Sequence, residues 1–301
     1  MKSQATQKTI INNSFIFYIN NFYQLMKPRV MSLVIFTCVV GLIIAPIKVD
    51  FLTAALSLLA VALGAGAAGS LNMWYESDLD ALMKRTCLRP IPTGKITNKQ
   101  ALIFGLSTSV FSIVSLYLVS NFLSALMLFV TIVFYVVVYT MWLKQRTPQN
   151  IVIGGAAGAF PPIIGWTVAT GNISLEPVLL FLVIFFWTPS HFWALSLYKT
   201  EDYTNAKIPM LPVVSGIQTT KINIFVYSIL LFIISLTPYL LNFAGNTYLV
   251  ISFLLGAYYV YLCYKLLTAT SEEKIIAKKI FIYSILYLFL IFITILIDSI
   301  I

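Results

Sequence analysis

Acidic residues are scarce in this chain: ten Asp and Glu stand among 301 residues, against nineteen Lys and Arg. Charged residues make up only 10% of the sequence and hydrophobic ones 60%, with a mean hydropathy of +0.93. That balance excludes a soluble globular domain and defines a polytopic membrane protein. Cysteine is rare as well. Cys38, Cys87 and Cys263 are odd in number and far apart, which excludes a disulfide framework and a thiolate metal centre. The polar N-terminal segment, residues 1–29, carries no cleavable signal pattern ahead of the first apolar run. No linker or low-complexity tract divides the rest, so residues 30–301 are expected to form one domain.

Apolar runs of about twenty residues predict an all-α fold of nine transmembrane helices in a single bundle. Their approximate limits are 30–46, 52–75, 99–119, 122–143, 151–170, 177–197, 222–242, 247–267 and 279–297. The connections alternate in character. Those near 47–51, 120–121, 171–176 and 243–246 hold one basic residue between them, Lys48; the rest of the nineteen Lys and Arg lie in or beside the other connections and the N-terminal tail. The positive-inside rule then places the N-terminus in the cytoplasm and the C-terminus outside. Topology also accounts for the net charge of +9, so nucleic acid is not expected as a partner. The lipid bilayer is.

Against this acid-poor background, Glu76, Asp78 and Asp80 fall within five residues at the end of an apolar run. Carboxylates at a lipid boundary are unfavourable, and a cluster of them is suited to holding a divalent cation. If the second helix continues through the stretch, Asn72, Glu76 and Asp80 share one face and Asp78 points away. An amide and two carboxylates in a column offer the hard oxygen donors that Mg²⁺ prefers, with water and phosphate completing its shell. A solvated helix end is the plainer alternative. Lys84, Arg85 and Arg89 follow directly, and Lys144 and Arg146 sit in a short turn on the same membrane face. Each, taken singly, could be a topological anchor. Behind metal-binding acids, however, such groups are what a diphosphate needs, with guanidinium making planar paired contacts and ammonium acting as a point charge.

Glu201 and Asp202 follow Tyr198-Lys199 as a second acidic pair on that face, read either as an exposed loop, a second metal site or a salt-bridged gate. His191 is the only histidine and lies about two turns inside the same end of the sixth predicted span. It is either a hydrogen-bonded packing residue, a ligand to a tetrapyrrole iron or carboxylate, or a base. Gly154 to Gly158 and the run from Gly64 to Ser70 have the small-residue spacing of close helix packing and lack the Lys-Ser/Thr ending of a nucleotide cradle. Pro161-Pro162 should break or kink the fifth span.

Asn72-Met-Trp-Tyr-Glu76-Ser-Asp78-Leu-Asp80 followed by Met83-Lys-Arg-Thr-Cys-Leu-Arg89-Pro-Ile-Pro-Thr-Gly94 resembles the first aspartate-rich motif of the UbiA superfamily of intramembrane prenyltransferases. Trp142 to Pro162, His191-Phe-Trp-Ala-Leu-Ser-Leu-Tyr-Lys-Thr-Glu-Asp-Tyr203 and Ile208-Pro-Met-Leu-Pro-Val-Val214 resemble the branch of it that farnesylates heme. The resemblance runs from about residue 24 to 297. It implies transfer of the farnesyl group of farnesyl diphosphate to the 2-vinyl group of heme B, with addition of water, giving heme O and diphosphate. It further implies Mg²⁺ (alternatively Mn²⁺) on Asn72, Glu76 and Asp80, and diphosphate contacts from Lys84, Arg85, Arg89, Lys144 and Arg146. Lys199 and Asp202 would form the second motif, His191 would serve the heme side, and a heme A synthase would be a downstream partner. Two positions depart from the superfamily pattern. Glu76 stands where Asp is usual, and Lys199 with Glu201-Asp202 replaces two Asp four apart. The competing readings are a prenyltransferase for another acceptor and an ion-coupled transporter.

Overall fold

A computed structural model describes residues 17–300. The chain opens with a short helix, α1 (Phe17–Leu25), which is bent by 56° from α2 (Pro28–Ile44). There follow α3 (Phe51–Tyr75), the single-turn extension α4 (Ser77–Leu82), α5 (Asn98–Val119) and α6 (Phe122–Val133), which runs on as a π-helix over Phe134–Leu143. The second half holds α7 (Asn150–Ala159), α8 (Pro161–Thr170), α9 (Leu175–Tyr198), the short α10 (Thr200–Asn205) and α11 (Leu211–Val214), then α12 (Gly216–Leu240), α13 (Asn246–Thr268) and α14 (Glu273–Asp298). No strand occurs among the described residues.

Local chemistry sets the helix starts. Asp50 accepts the Thr53 N–H at 3.0 Å to cap α3, Thr97 and Gln100 form a reciprocal capping box on α5, and Asn121 accepts the Ser124 N–H at 2.9 Å to cap α6. Gly171, at φ 68°, ends α8 in the left-handed conformation that glycine adopts without strain. The Pro161-Pro162 pair divides α7 from α8, as expected.

Among the described residues, eight spans are long and apolar enough to cross a membrane: α3, α5, α6 with its π continuation, α7 with α8, α9, α12, α13 and α14. A ninth is counted only when the bent α1–α2 pair is taken as one span; α2 alone has 17 residues, about 26 Å of helix. Two expectations need correction. Helices α12 and α14 start at residues 216 and 273, six residues before the predicted limits of 222 and 279. Backbone hydrogen bonding continues through polar interfacial turns that a hydropathy limit cuts away. Residues 17–25, read as part of a polar tail, are helical and pack onto the bundle.

The outward faces carry bare apolar side chains, among them Phe51, Leu118, Phe122 and Leu254, a surface that only lipid accommodates. Inside, one apolar cluster joins α2, α3, α5, α6 and α8, and another joins α9, α12, α13 and α14. Helix α2 crosses α8 with the backbones touching. A Cβ added at Gly41 would stand 2.1 Å from the Pro162 carbonyl oxygen, and one at Gly165 2.0 Å from that of Cys38. Of the glycines singled out by spacing, Gly154 is filled by Tyr139 and Gly155 by Thr188, while Gly158 faces open space.

Candidate active site

Helix α3 ends at Tyr75, yet the column predicted along its face survives. The Glu76 N–H bonds to the Asn72 carbonyl at 3.0 Å and the Asp80 N–H to the Glu76 carbonyl at 2.8 Å, so the four-residue repeat carries through the break into α4. Asn72, Glu76 and Asp80 are each no more than 3% exposed, whereas Asp78 is exposed and turned away.

Each member of the column meets one cation. Lys27 Nζ donates to Asn72 Oδ1, Lys144 Nζ to Glu76 Oε2 at 2.5 Å, and Arg89 Nη1 to both Asp80 oxygens at 2.8 and 2.7 Å. Different devices deliver the three. Arg89 returns to α4 because residues 83–96 wind through successive turns, with the Thr86 hydroxyl donating to the Asp80 carbonyl at 2.9 Å and Gly94, at φ 72°, reversing the chain. Lys144 follows the π-helix, its N–H bonded to the Tyr139 carbonyl at 2.9 Å.

Lys27 lies in the corner between α1 and α2, and spacing alone overlooked it. Its only sequence signal is a Lys-Pro-Arg step before the first apolar run, which reads as a topological anchor. The corner seats on the small-residue stretch of α3: Gly66 lies against Met26, and a Cβ at Gly69 would stand 3.3 Å from the Leu25 carbonyl oxygen. Leu25 packs with Met73, Ile91, Ile96 and Ala101.

The other predicted cations are placed less closely. Lys84, Arg85, Arg146 and Lys199 are exposed, none paired with an acid among the described residues. Lys199 lies over the Tyr198 ring, 5.7 Å from its centroid. Asp202 is buried and makes no ion pair among the described residues, its N–H bonding to the Lys199 carbonyl at 3.1 Å; Glu201 makes an exposed 3.6 Å pair with Lys274. The two acidic connections still meet, through an apolar cluster in which Met83 and Leu79 pack with Tyr203, Ala206, Ile208 and Met210.

His191 is buried in α9, stacked on Trp187 at 4.2 Å and on Phe281 at 4.5 Å between ring centroids. Its Nδ1 lies 2.6 Å from the Ser284 hydroxyl oxygen. That hydroxyl also lies 2.7 Å from the Phe281 carbonyl oxygen, which accepts from it.

Among the described residues no three or more His, Cys, Asp or Glu side chains gather as a metal cage. The column nevertheless suits a cation completed by substrate phosphate. Glu76 Oε1 is a buried carboxylate oxygen with no hydrogen-bond partner, and Mg²⁺ ordinarily takes one or two protein carboxylates, leaving the rest of its shell to water and phosphate.

A helical membrane bundle with a buried acid column facing clustered cations defines an intramembrane transferase of diphosphate-activated groups. Residues 34–285 match the UbiA prenyltransferase family, and the chain belongs to it. It is 59% identical, over 96% of both chains, to a protoheme IX farnesyltransferase of Pelagibacter ubique (strain HTCC1062). It is 51% identical to a protoheme IX farnesyltransferase of Parvibaculum lavamentivorans (strain DS-1), over 93% of this chain and 88% of that one. The fold is shared with a digeranylgeranylglyceryl phosphate synthase (TM-score 0.79, 19% identity, covering 94% of this chain and 99% of that one). It is shared too with a UbiA homologue from Archaeoglobus fulgidus bound to GPP and Mg²⁺ (TM-score 0.64, 18% identity, covering 91% and 99%). Membership in this family sets the transporter reading aside.

Proposed function

We propose that the chain transfers the farnesyl group of farnesyl diphosphate to the 2-vinyl group of heme B, with addition of water, giving heme O and diphosphate. One observation carries the diphosphate half: the buried Asn72–Glu76–Asp80 column, each member facing its own cation. The heme half rests on relatives named protoheme IX farnesyltransferase at 59% and 51% identity.

Asn72, Glu76 and Asp80 would hold Mg²⁺, or Mn²⁺. Bound there, the ion neutralises diphosphate charge and favours its departure. Lys27, Arg89 and Lys144 bind the diphosphate oxygens beside the column, and exposed Lys84, Arg85 and Arg146 draw the anion toward it. Arg89 uses only Nη1 on Asp80, so its remaining N–H groups are available to phosphate. As the allylic C–O bond breaks, its electron pair leaves with diphosphate. The vinyl π bond of heme attacks the farnesyl carbon, water adds to the other vinyl carbon, and a proton is released. Lys199 and Asp202 border the site as the second motif. His191 would serve the heme side of the site. The loops bearing these groups face the cytoplasm of a cell membrane, and the product suits a heme A synthase or an oxidase that uses heme O.

Purified protein given heme B, farnesyl diphosphate and Mg²⁺ should form heme O, detected by mass spectrometry, with turnover lost in chelator and restored by Mg²⁺. Absence of heme O under these conditions, or a product on a different acceptor, would overturn the assignment. For His191→Ala, weakened heme binding with intact farnesyl diphosphate binding is expected in a spectral titration. An unchanged heme affinity would remove His191 from the site.

A further inference from the structure

We infer that Thr140, on the π-helical segment, is a positioning residue that decides which end of the Asn72 carboxamide faces the cation and diphosphate site. The inference rests on the reading just given, in which Asn72 offers its oxygen to that site. An asparagine side chain is nearly symmetric in shape, and a flipped amide would turn an N–H₂ group toward a cation. Something must select the orientation.

The widened turns of Phe134–Leu143 bring the Tyr135 carbonyl, five residues back, to 2.8 Å from Thr140 Oγ1. A carbonyl oxygen only accepts, so the single hydroxyl proton of Thr140 is committed to it. The hydroxyl oxygen can then only accept from its other neighbour, Asn72 Nδ2, at 3.0 Å. The amide nitrogen is thereby fixed toward Thr140 and Oδ1 toward the opposite side. There it meets the Lys27 ammonium, a group that only donates. Two independent contacts agree on one orientation. Both Asn72 and Thr140 are buried, so water does not substitute for either partner.

The same segment supplies a second contact in step with the first. Thr140 pairs with Asn72, and Lys144 with Glu76, each across a separation of 68 residues. The π-helix therefore runs parallel to α3 in a matched register, presenting a hydroxyl to the amide and, one turn on, an ammonium to the carboxylate. π-Helical turns are uncommon and concentrate at functional sites. Here the extra width brings a distant carbonyl into reach of the Thr140 proton.

The test is equilibrium binding of a non-reacting farnesyl thiodiphosphate to the full-length protein in detergent, titrated with Mg²⁺ in the absence of heme. Thr140→Val keeps the volume and removes the acceptor, and is expected to raise the Mg²⁺ needed for half-maximal binding on the order of 10–100-fold, as loss of a partner behind a metal ligand ordinarily does. Thr140→Ser should stay near wild type. Adding Thr140→Val to Asn72→Ala should change nothing further. Should Thr140→Val not fold, Thr140→Ala carries the same comparison. A wild-type Mg²⁺ requirement in Thr140→Val while Asn72→Ala is shifted would overturn the inference alone. Equal impairment of Thr140→Ser and Thr140→Val would also overturn it, because packing and not the hydroxyl would then be the cause. An unshifted Asn72→Ala would overturn the metal-site reading beneath it.

Discussion

Burying Glu76 and Asp80 is tolerable only because each has a cation in contact, and Asn72 is held in the same way by Lys27. Removing one partner leaves the other charge stranded. Lys144→Met is therefore expected to destabilise the fold by ~3 kcal/mol, the ordinary scale for breaking a buried pair, seen as a lowered unfolding temperature in detergent. The column itself should matter more for chemistry than for folding. Asp80→Ala and Asn72→Ala should lose turnover by more than ~100-fold, the scale of a removed transition-state contact, while still inserting as folded protein. Heme O formation and circular dichroism separate the two effects, and wild-type activity in either variant would refute a role for the column. Lys27→Gln tests the α1–α2 corner: the expected result is a raised KM for farnesyl diphosphate with the KM for heme unchanged.

Among the elements, α2 and α8 show the tightest demand on side-chain size. Gly41→Ala and Gly165→Ala must push apart two backbones already in contact, and each is expected to be destabilising by about 1–3 kcal/mol, the usual range for overpacking. Gly158→Ala, with open space around it, is the control and should leave the unfolding temperature unchanged. The same spacing argument flagged Gly154, Gly155 and Gly158 alike, yet only the first two have close neighbours. Periodicity marks a smooth helix face without saying whether another helix lies on it. The small run of α3 illustrates the converse. Gly66 and Gly69 receive the α1–α2 corner and so let Lys27 reach Asn72, a tertiary use that spacing alone does not distinguish from helix pairing.

For the whole molecule, charge asymmetry predicts that every connection bearing the site faces the cytoplasm. The cysteines offer a direct check, since Cys38 and Cys263 are buried and Cys87 lies partly exposed in the loop behind the acid column. A membrane-impermeant maleimide should label wild-type protein in inside-out vesicles and not in right-side-out ones. Labelling from the opposite side would reverse the topology.

Much of this architecture is set by composition and order along the chain. Apolar runs must become helices in lipid because no water is present to satisfy an open backbone, so span number and approximate limits follow from the sequence, as does the Asn72–Glu76–Asp80 face from its four-residue spacing. Basic residues were a different matter, since a Lys or Arg near a membrane edge has the same sequence signature whether it anchors a helix or serves a site. Tertiary structure alone separated Lys27, Lys144 and Arg89, which touch the column, from the exposed Lys84, Arg85, Arg146 and Lys199. It also disclosed the π-helix and Thr140. Which neighbour receives one hydroxyl proton depends on atoms 68 residues apart along the chain, and only the folded bundle brings them together.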